Sequence, residues 1–205
     1  MTQQQREALD EILRHSPFGI GGDVAEQRVV FHEMIASVPL PDDVSTAPGE
    51  LGGVPAVTVQ TPGSDPTAVL LYSCGGAYAL GSAPDSVGLA ADVARRTGAR
   101  AISVECRLAP ENPFPAAVDD AVAAYRALLD DGTPSSRIAL VGESAGGGLA
   151  VATLVALKAA GLPQPSCTAV FSPWADLTVS GDSMLSKADV DPALTPQGMR
   201  TRAKD

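Results

Sequence analysis

The 205-residue chain is 45% hydrophobic, enough to bury a core in one domain, and its 24 acidic against 14 basic residues leave a formal charge of −10. That field repels phosphate, so nucleic acid and anionic membrane surfaces are disfavoured as partners. Cys74, Cys106 and Cys167 give neither an even framework nor a Cys-x-x-Cys pair, which argues against a disulfide scaffold or a zinc site and for a reducing compartment. The N-terminus, "MTQQQREALDEILRHS", has no apolar stretch after a basic one. No window reaches the roughly 18 apolar residues of a membrane span, so a cytoplasmic protein without a span is expected.

In chain order, Leu9, Ile12 and Leu13 make one apolar helical stripe. Val30, Phe31, Met34 and Ile35 make a second after a candidate N-cap at Asp23, and "SPFGIGG" interrupts the two. Beyond "PLPDD" the period changes to two: Val57 and Val59 alternate with Thr58 and Gln60 as in a half-exposed strand, and Pro55 suggests an outer position in the sheet. Then "AVLLYS", "AISVE", "IALV" and "TAVF" form short, nearly continuous apolar runs, as expected of strands buried on both faces. Helical stretches alternate with them. The segment 115–131 places Val118, Val122, Tyr125 and Leu129 on one face, has Asp119 and Asp120 in its first turn and meets Gly132 at its end. The alternation predicts an α/β fold, with a mostly parallel sheet covered by helices and joined by right-handed crossovers. The last stretch, "GDSMLSKADVDPALTPQGMRTRAKD", is polar and begins a helix after Pro196.

In "IALVGESAGGGLAVATL" a buried strand runs directly into Gly142-Glu143-Ser144-Ala145-Gly146 and a small-residue helix. So sharp a strand-to-helix turn strains the serine backbone, and side chains at the flanking glycines would collide with neighbouring elements. Ser144 is thereby the candidate nucleophile, held at the carboxyl end of the sheet beside a helix N-terminus that favours developing negative charge. Ester hydrolysis also needs donors for the oxyanion of the tetrahedral intermediate. In "AVLLYSCGGAYALGS" the N–H groups of Gly75 and Gly76 can approach a substrate oxygen, and the Ala145 N–H completes the set. Alone, Cys-Gly-Gly-Ala reads equally as a strand-exit turn. About 70 residues upstream of a nucleophile elbow, it reads as an oxyanion loop.

These motifs resemble the bacterial hormone-sensitive-lipase-like (family IV) esterases of the α/β-hydrolase fold. The family's His-Gly-Gly-Gly stands here as Cys74-Gly75-Gly76-Ala77, and its Tyr-Arg-Leu-Ala-Pro-Glu run as Cys106-Arg107-Leu108-Ala109-Pro110-Glu111. The nucleophile motif is Gly142 to Gly147, and "PFPAAVDD", "SPWADLTVSG" and "DPALTP" follow the family's order. The resemblance implies a sheet order of 1-2-4-3-5-6-7-8, with a helical cap at residues 1–42 over a core at 43–205. It further implies a carboxylesterase acting on short to medium acyl esters through an acyl-enzyme on Ser144, with no metal or cofactor. Arg107 and Glu111 would fix the loop after the fourth strand.

The chain departs from the family in three places. Cys74 replaces a histidine that organises the glycine loop, and Ala77 replaces the third glycine. Cys74 and Cys106 each follow a strand, and the implied order makes those strands neighbours; the two thiols are small buried side chains or a redox-sensitive pair. Finally, the family places its triad acid and base after the seventh and eighth strands, whereas only about 60 residues follow Ser144 here and none is histidine. Asp176, Asp182, Asp189, Asp191 and Asp205 do not match the triad acid. His15 and His32 lie upstream, the latter on a cap helix, with nothing to bring either to the serine. The expectation is a C-terminally incomplete hydrolase that lacks its last two strands and turns over little by itself. Its "CTAVF" strand would become a sheet edge open to self-association. Two other readings stand beside it: a non-catalytic module binding a small hydrophobic ligand, and a chain whose edge pairs with a partner supplying the acid and base.

Overall fold

The computed structural model describes residues 2–15, 19–188, 190–191 and 193–205. Asp189, part of the "SPFGIGG" break and Pro192 of "DPALTP" lie outside the described residues.

Two helices come first, α1 (Gln3–Arg14) and α2 (Val24–Ala36). α1 begins with a capping box in which Thr2 and Gln5 satisfy each other's backbone amides, but its apolar stripe is not buried: Leu9 is 44% and Ile12 66% exposed. α2 starts where expected, with the Asp23 side chain accepting from the Glu26 N–H.

Six strands follow: β1 (Ser45–Leu51), β2 (Val54–Gln60), β3 (Asp65–Ser73), β4 (Ala99–Val104), β5 (Ile138–Glu143) and β6 (Cys167–Phe171). They form one sheet in the order β1-β2-β4-β3-β5-β6, which is the first six places of the expected topology. The pairs β1/β2 and β2/β4 are antiparallel; β4/β3, β3/β5 and β5/β6 are parallel. The Pro55 inference needs correcting. β2 is an inner strand, and the outer one is β1, which carries Pro48. Pro55 is tolerated because it sits at the start of β2, before the register with β4 begins at Ala56.

The apolar runs divide by parity. From β3, Val69 and Leu71 point to a core shared with α4 (Ala116–Asp130) and α5 (Ala145–Ala159), while Leu70 and Tyr72 point to a second core against α3 (Val87–Thr97). Burial on both faces is what removes the polar alternation from β3, β4 and β5; "TAVF" departs from the expectation, because β6 pairs only with β5 among the described residues and leaves Ala169 and Phe171 exposed. In α4 the deepest face is Ala121, Ala124, Tyr125 and Leu128, with Val118, Val122 and Leu129 only flanking it. The expected face is thus rotated, because the alanines let the helix approach the sheet closely. Asp120 is buried there too, since Arg107 grips both its carboxylate oxygens at 2.8–3.0 Å.

Two short helices, α6 (Ser183–Ser186) and α7 (Pro196–Arg202), complete the chain. α7 starts at the expected proline under a Thr195 cap and seats Met199 in a third cluster with Ile20 and Trp174. Arg28 of α2 reaches three residues of the loops after β3 and β4. Arg28 donates to the carbonyls of Ala79 (2.8 Å) and Ala109 (3.0 Å) and pairs with Glu111 (2.7 Å). Glu111 therefore ties the loop after β4 to α2, while Arg107 ties it to α4.

Candidate active site

Ser144 stands between β5 and α5 with φ 53° and ψ −122°, a conformation that a non-glycine residue holds only when its surroundings impose it. The surroundings are explicit. Its N–H donates to the Phe171 carbonyl (2.9 Å), and its carbonyl accepts from Trp174 N–H (2.8 Å) and Gly148 N–H (3.1 Å). A Cβ on Gly142 would lie 2.3 Å from the Gly146 carbonyl oxygen, and one on Gly146 would lie 2.0 Å from that of Ser73. The Gly-x-Ser-x-Gly spacing is thus a packing requirement between β5, α5 and β3.

Gly75, Gly76, Ala77, Glu143 and Ser144 line one groove of about 950 Å³. Its walls are apolar, with Phe31 and Ile35 from α2, Leu89 from α3 and Leu194 before α7. The structure thus brings the expected loop and nucleophile together, and it redistributes the expected donors. The Gly75 N–H is already donated to Glu143 Oε1 at 2.7 Å, so it is not a free oxyanion donor here. Among the described residues, the N–H groups of Gly76, Ala77 and Ala145 have no acceptor. The carboxylate that takes Gly75 also accepts from the Tyr72 hydroxyl at 2.5 Å. Burial raises the Glu143 carboxyl above its usual range and those two hydrogen bonds oppose the rise; burial and then the Glu143 charge raise the Tyr72 phenol. Sequence reasoning gave Glu143 no role, because its partners come from the neighbouring strand.

No hydrogen bond links Ser144 Oγ to a base among the described residues. His32 does line the groove, and its Nδ1 lies 2.8 Å from Oδ1 of Asp85, whose side chain is almost fully buried. His15 is exposed, with Nδ1 against the Glu11 carbonyl. Asp176 is engaged by Thr178 and Ser180, Asp191 by the amides of Ala193 and Leu194, and Asp205 by Arg202.

Cys74 and Cys106 are free thiols lining one small void with Tyr78 and Leu149. Burial first, then the Glu143 charge, pushes the Cys74 thiol up to about 12, and burial raises Cys106 as well. Protonated thiols are poor nucleophiles, which weighs against the redox-sensitive pair. Among the described residues no group of His, Cys, Asp and Glu could hold a metal ion, and no helix is long and apolar enough to cross a membrane.

A family model described as the alpha/beta hydrolase fold matches residues 70–204. The chain belongs to the α/β-hydrolase fold family. It is 36% identical over 206 residues to an acetyl-hydrolase of Streptomyces hygroscopicus, covering 100% of this chain and 68% of that one. It is 32% identical over 201 residues to the carboxylic ester hydrolase LipN of Mycobacterium tuberculosis, covering 85% of this chain and 54% of the relative. Among solved structures, an esterase from the bacterial hormone-sensitive lipase family superposes with a TM-score of 0.93 at 38% identity, over 99% of this chain and 68% of that one. Resemblance thus makes the chain an ester hydrolase of the hormone-sensitive-lipase type, spanning between about half and two thirds of these relatives' lengths.

Proposed function

We propose that this α/β-hydrolase chain carries the nucleophile and oxyanion site of a serine carboxylesterase acting on short to medium acyl esters. The observation that supports it is Ser144, held at positive φ, opening onto the same groove as the acceptor-free amides of Gly76 and Ala77, with the acceptor-free amide of Ala145 next in the chain. Ser144 Oγ attacks the ester carbonyl carbon, and the carbonyl oxygen, now negative, takes hydrogen bonds from Gly76 and Ala145 with Ala77 beside them. The N-terminus of α5 adds a favourable dipole. Collapse of the intermediate expels the alcohol and leaves an acyl-Ser144, which water then cleaves. The apolar groove walls accept the acyl chain.

The proton leaving Ser144 needs a base within about 3 Å. We assign that base and its acid to residues outside these 205, on the ground that neither histidine of the chain bonds to Ser144. Loss of a triad base costs on the order of 10⁶ in turnover, while an oxyanion hole with binding retains roughly 10³ to 10⁴ over water. The 205 residues alone are accordingly a poor esterase with a residually reactive serine.

Mass spectrometry after treatment with a fluorophosphonate tests this directly. Slow adduct formation on Ser144, absent in Ser144→Ala, together with background hydrolysis of p-nitrophenyl butyrate, is the expected result. An adduct elsewhere would remove Ser144 from its role, and no adduct alongside tight ester binding would favour the ligand-binding module. Fast labelling with efficient hydrolysis would place the base inside the chain, at the His32–Asp85 pair.

A further inference from the structure

We propose that Glu143 is the positioning residue of the oxyanion loop, taking the place of the imidazole that Cys74 has replaced; this inference rests on the esterase reading above. One carboxylate joins three elements. It leaves the chain immediately before Ser144, receives the Gly75 N–H on Oε1 at 2.7 Å and receives the Tyr72 hydroxyl on Oε2 at 2.5 Å. Tyr72 is fully buried in the α3-side core, so its phenol is a fixed post and not a mobile surface group. β3 and β5 are parallel neighbours with Ser73 opposite Gly142, and the side chain that follows Gly142 reaches the loop that follows Ser73.

The loop needs such a tie. Ala77 and Tyr78 have φ of 55° and 60°, in the left-handed region that few non-glycine residues adopt, directly after Gly76 at 123°. From Gly75 to Tyr78 the backbone N–H groups have one acceptor among the described residues, and it is Glu143. The Cys74 thiol, protonated and facing Ser86, supplies no charge-assisted bond in its place. Through Gly75, Glu143 sets where the next amide, that of Gly76, points. It acts on the oxyanion through that amide.

Amide exchange by NMR and phosphonylation of Ser144 test the proposal on the chain as it stands. In wild type the Gly75 amide is protected at least about tenfold over those of Gly76 and Ala77, as its bond requires. Glu143→Ala abolishes that difference and slows phosphonylation of Ser144 by about 10²-fold, the cost of a misplaced oxyanion donor. Glu143→Gln, whose carbonyl oxygen still accepts from Gly75, restores most of both. A role confined to stability would instead lower the melting temperature and leave the labelling rate of the folded fraction unchanged. Equal exchange at Gly75 and Gly76 in wild type overturns the proposal without any variant. So does a folded Glu143→Ala or Glu143→Gln that labels like wild type after losing Gly75 protection. If wild type is never phosphonylated, the nucleophile reading fails, while Gly75 protection still decides the tie.

Discussion

Gly146→Ala adds one methyl group at the tightest contact of the elbow. The new carbon would stand 2.0 Å from the Ser73 carbonyl oxygen and 2.5 Å from that of Cys74. A carbon tolerates such an oxygen at about 3.3 Å, so the first turn of α5 has to retreat by about 1.3 Å. The groups met are backbone at the end of the central strand β3 and in the residue after it, which cannot rotate aside, and overpacking of this kind costs about 3 kcal/mol. Exchanging glycine for alanine in a helix returns at most about 1 kcal/mol, leaving a net loss of about 2 kcal/mol. For a chain of this size that is a fall in melting temperature of about 4–8 °C. Calorimetry should show this drop for Gly146→Ala and essentially none for Gly49→Ala, where an added Cβ meets nothing within 4 Å. The retreat also carries Ser144 away from the loop, so fluorophosphonate labelling should vanish. A Gly146→Ala protein that melts with wild type and labels normally would refute the packing account of the Gly-x-Ser-x-Gly motif.

With Cys74 pushed up to about 12 and Cys106 also raised, iodoacetamide at pH 8 should modify one thiol of the native chain, the exposed Cys167, and all three only after unfolding; three equivalents in the native state would contradict the hold of these two sulfurs on their protons. The Arg28 guanidinium holds Glu111 at about 2, below its ordinary 4.5, so this pair stabilises the seating of α2 above about pH 4.5 and the contribution is lost as pH falls toward about 2. The protection of α2 amides relative to their intrinsic exchange rate should therefore fall across that window in wild type but not in Glu111→Gln, and identical profiles would show that the pair does not anchor the helix. β6 has a single strand neighbour among the described residues, and Ala169 and Phe171 are exposed on it. Light scattering should find concentration-dependent association that Ala169→Lys suppresses; a monodisperse wild-type monomer would remove the edge from consideration.

The strands that position Ser144 were legible because burial on both faces leaves continuous apolar runs such as "AVLLYS" and "IALV". β1 was not legible. Its sequence, Ser-Thr-Ala-Pro-Gly-Glu-Leu, has no apolar period and is almost wholly exposed; it is a strand because the Gly52-Gly53 turn folds it onto β2, from Leu51 opposite Val54 to Ser45 opposite Gln60. The same distinction runs through the site. Ser144 and its glycines are read from five adjacent letters because a backbone turn fixes them. The ties of Glu143 to Tyr72 and Gly75, of His32 to Asp85 and of Arg28 to Glu111 join residues 53 to 83 positions apart and leave no local pattern. Gly75 was taken for an oxyanion donor because the motif shows an amide without showing what already claims it.

Two of the three hydrogen bonds that clamp the Ser144 backbone join it to Phe171, the last residue of β6, and to Trp174 just beyond it. Ser144 is therefore coupled mechanically to an outer strand of the sheet. A molecule docking along β6 would have a handle on the serine's torsion angles without ever entering the groove, and inhibitors or activators of this hydrolase could be sought at that edge.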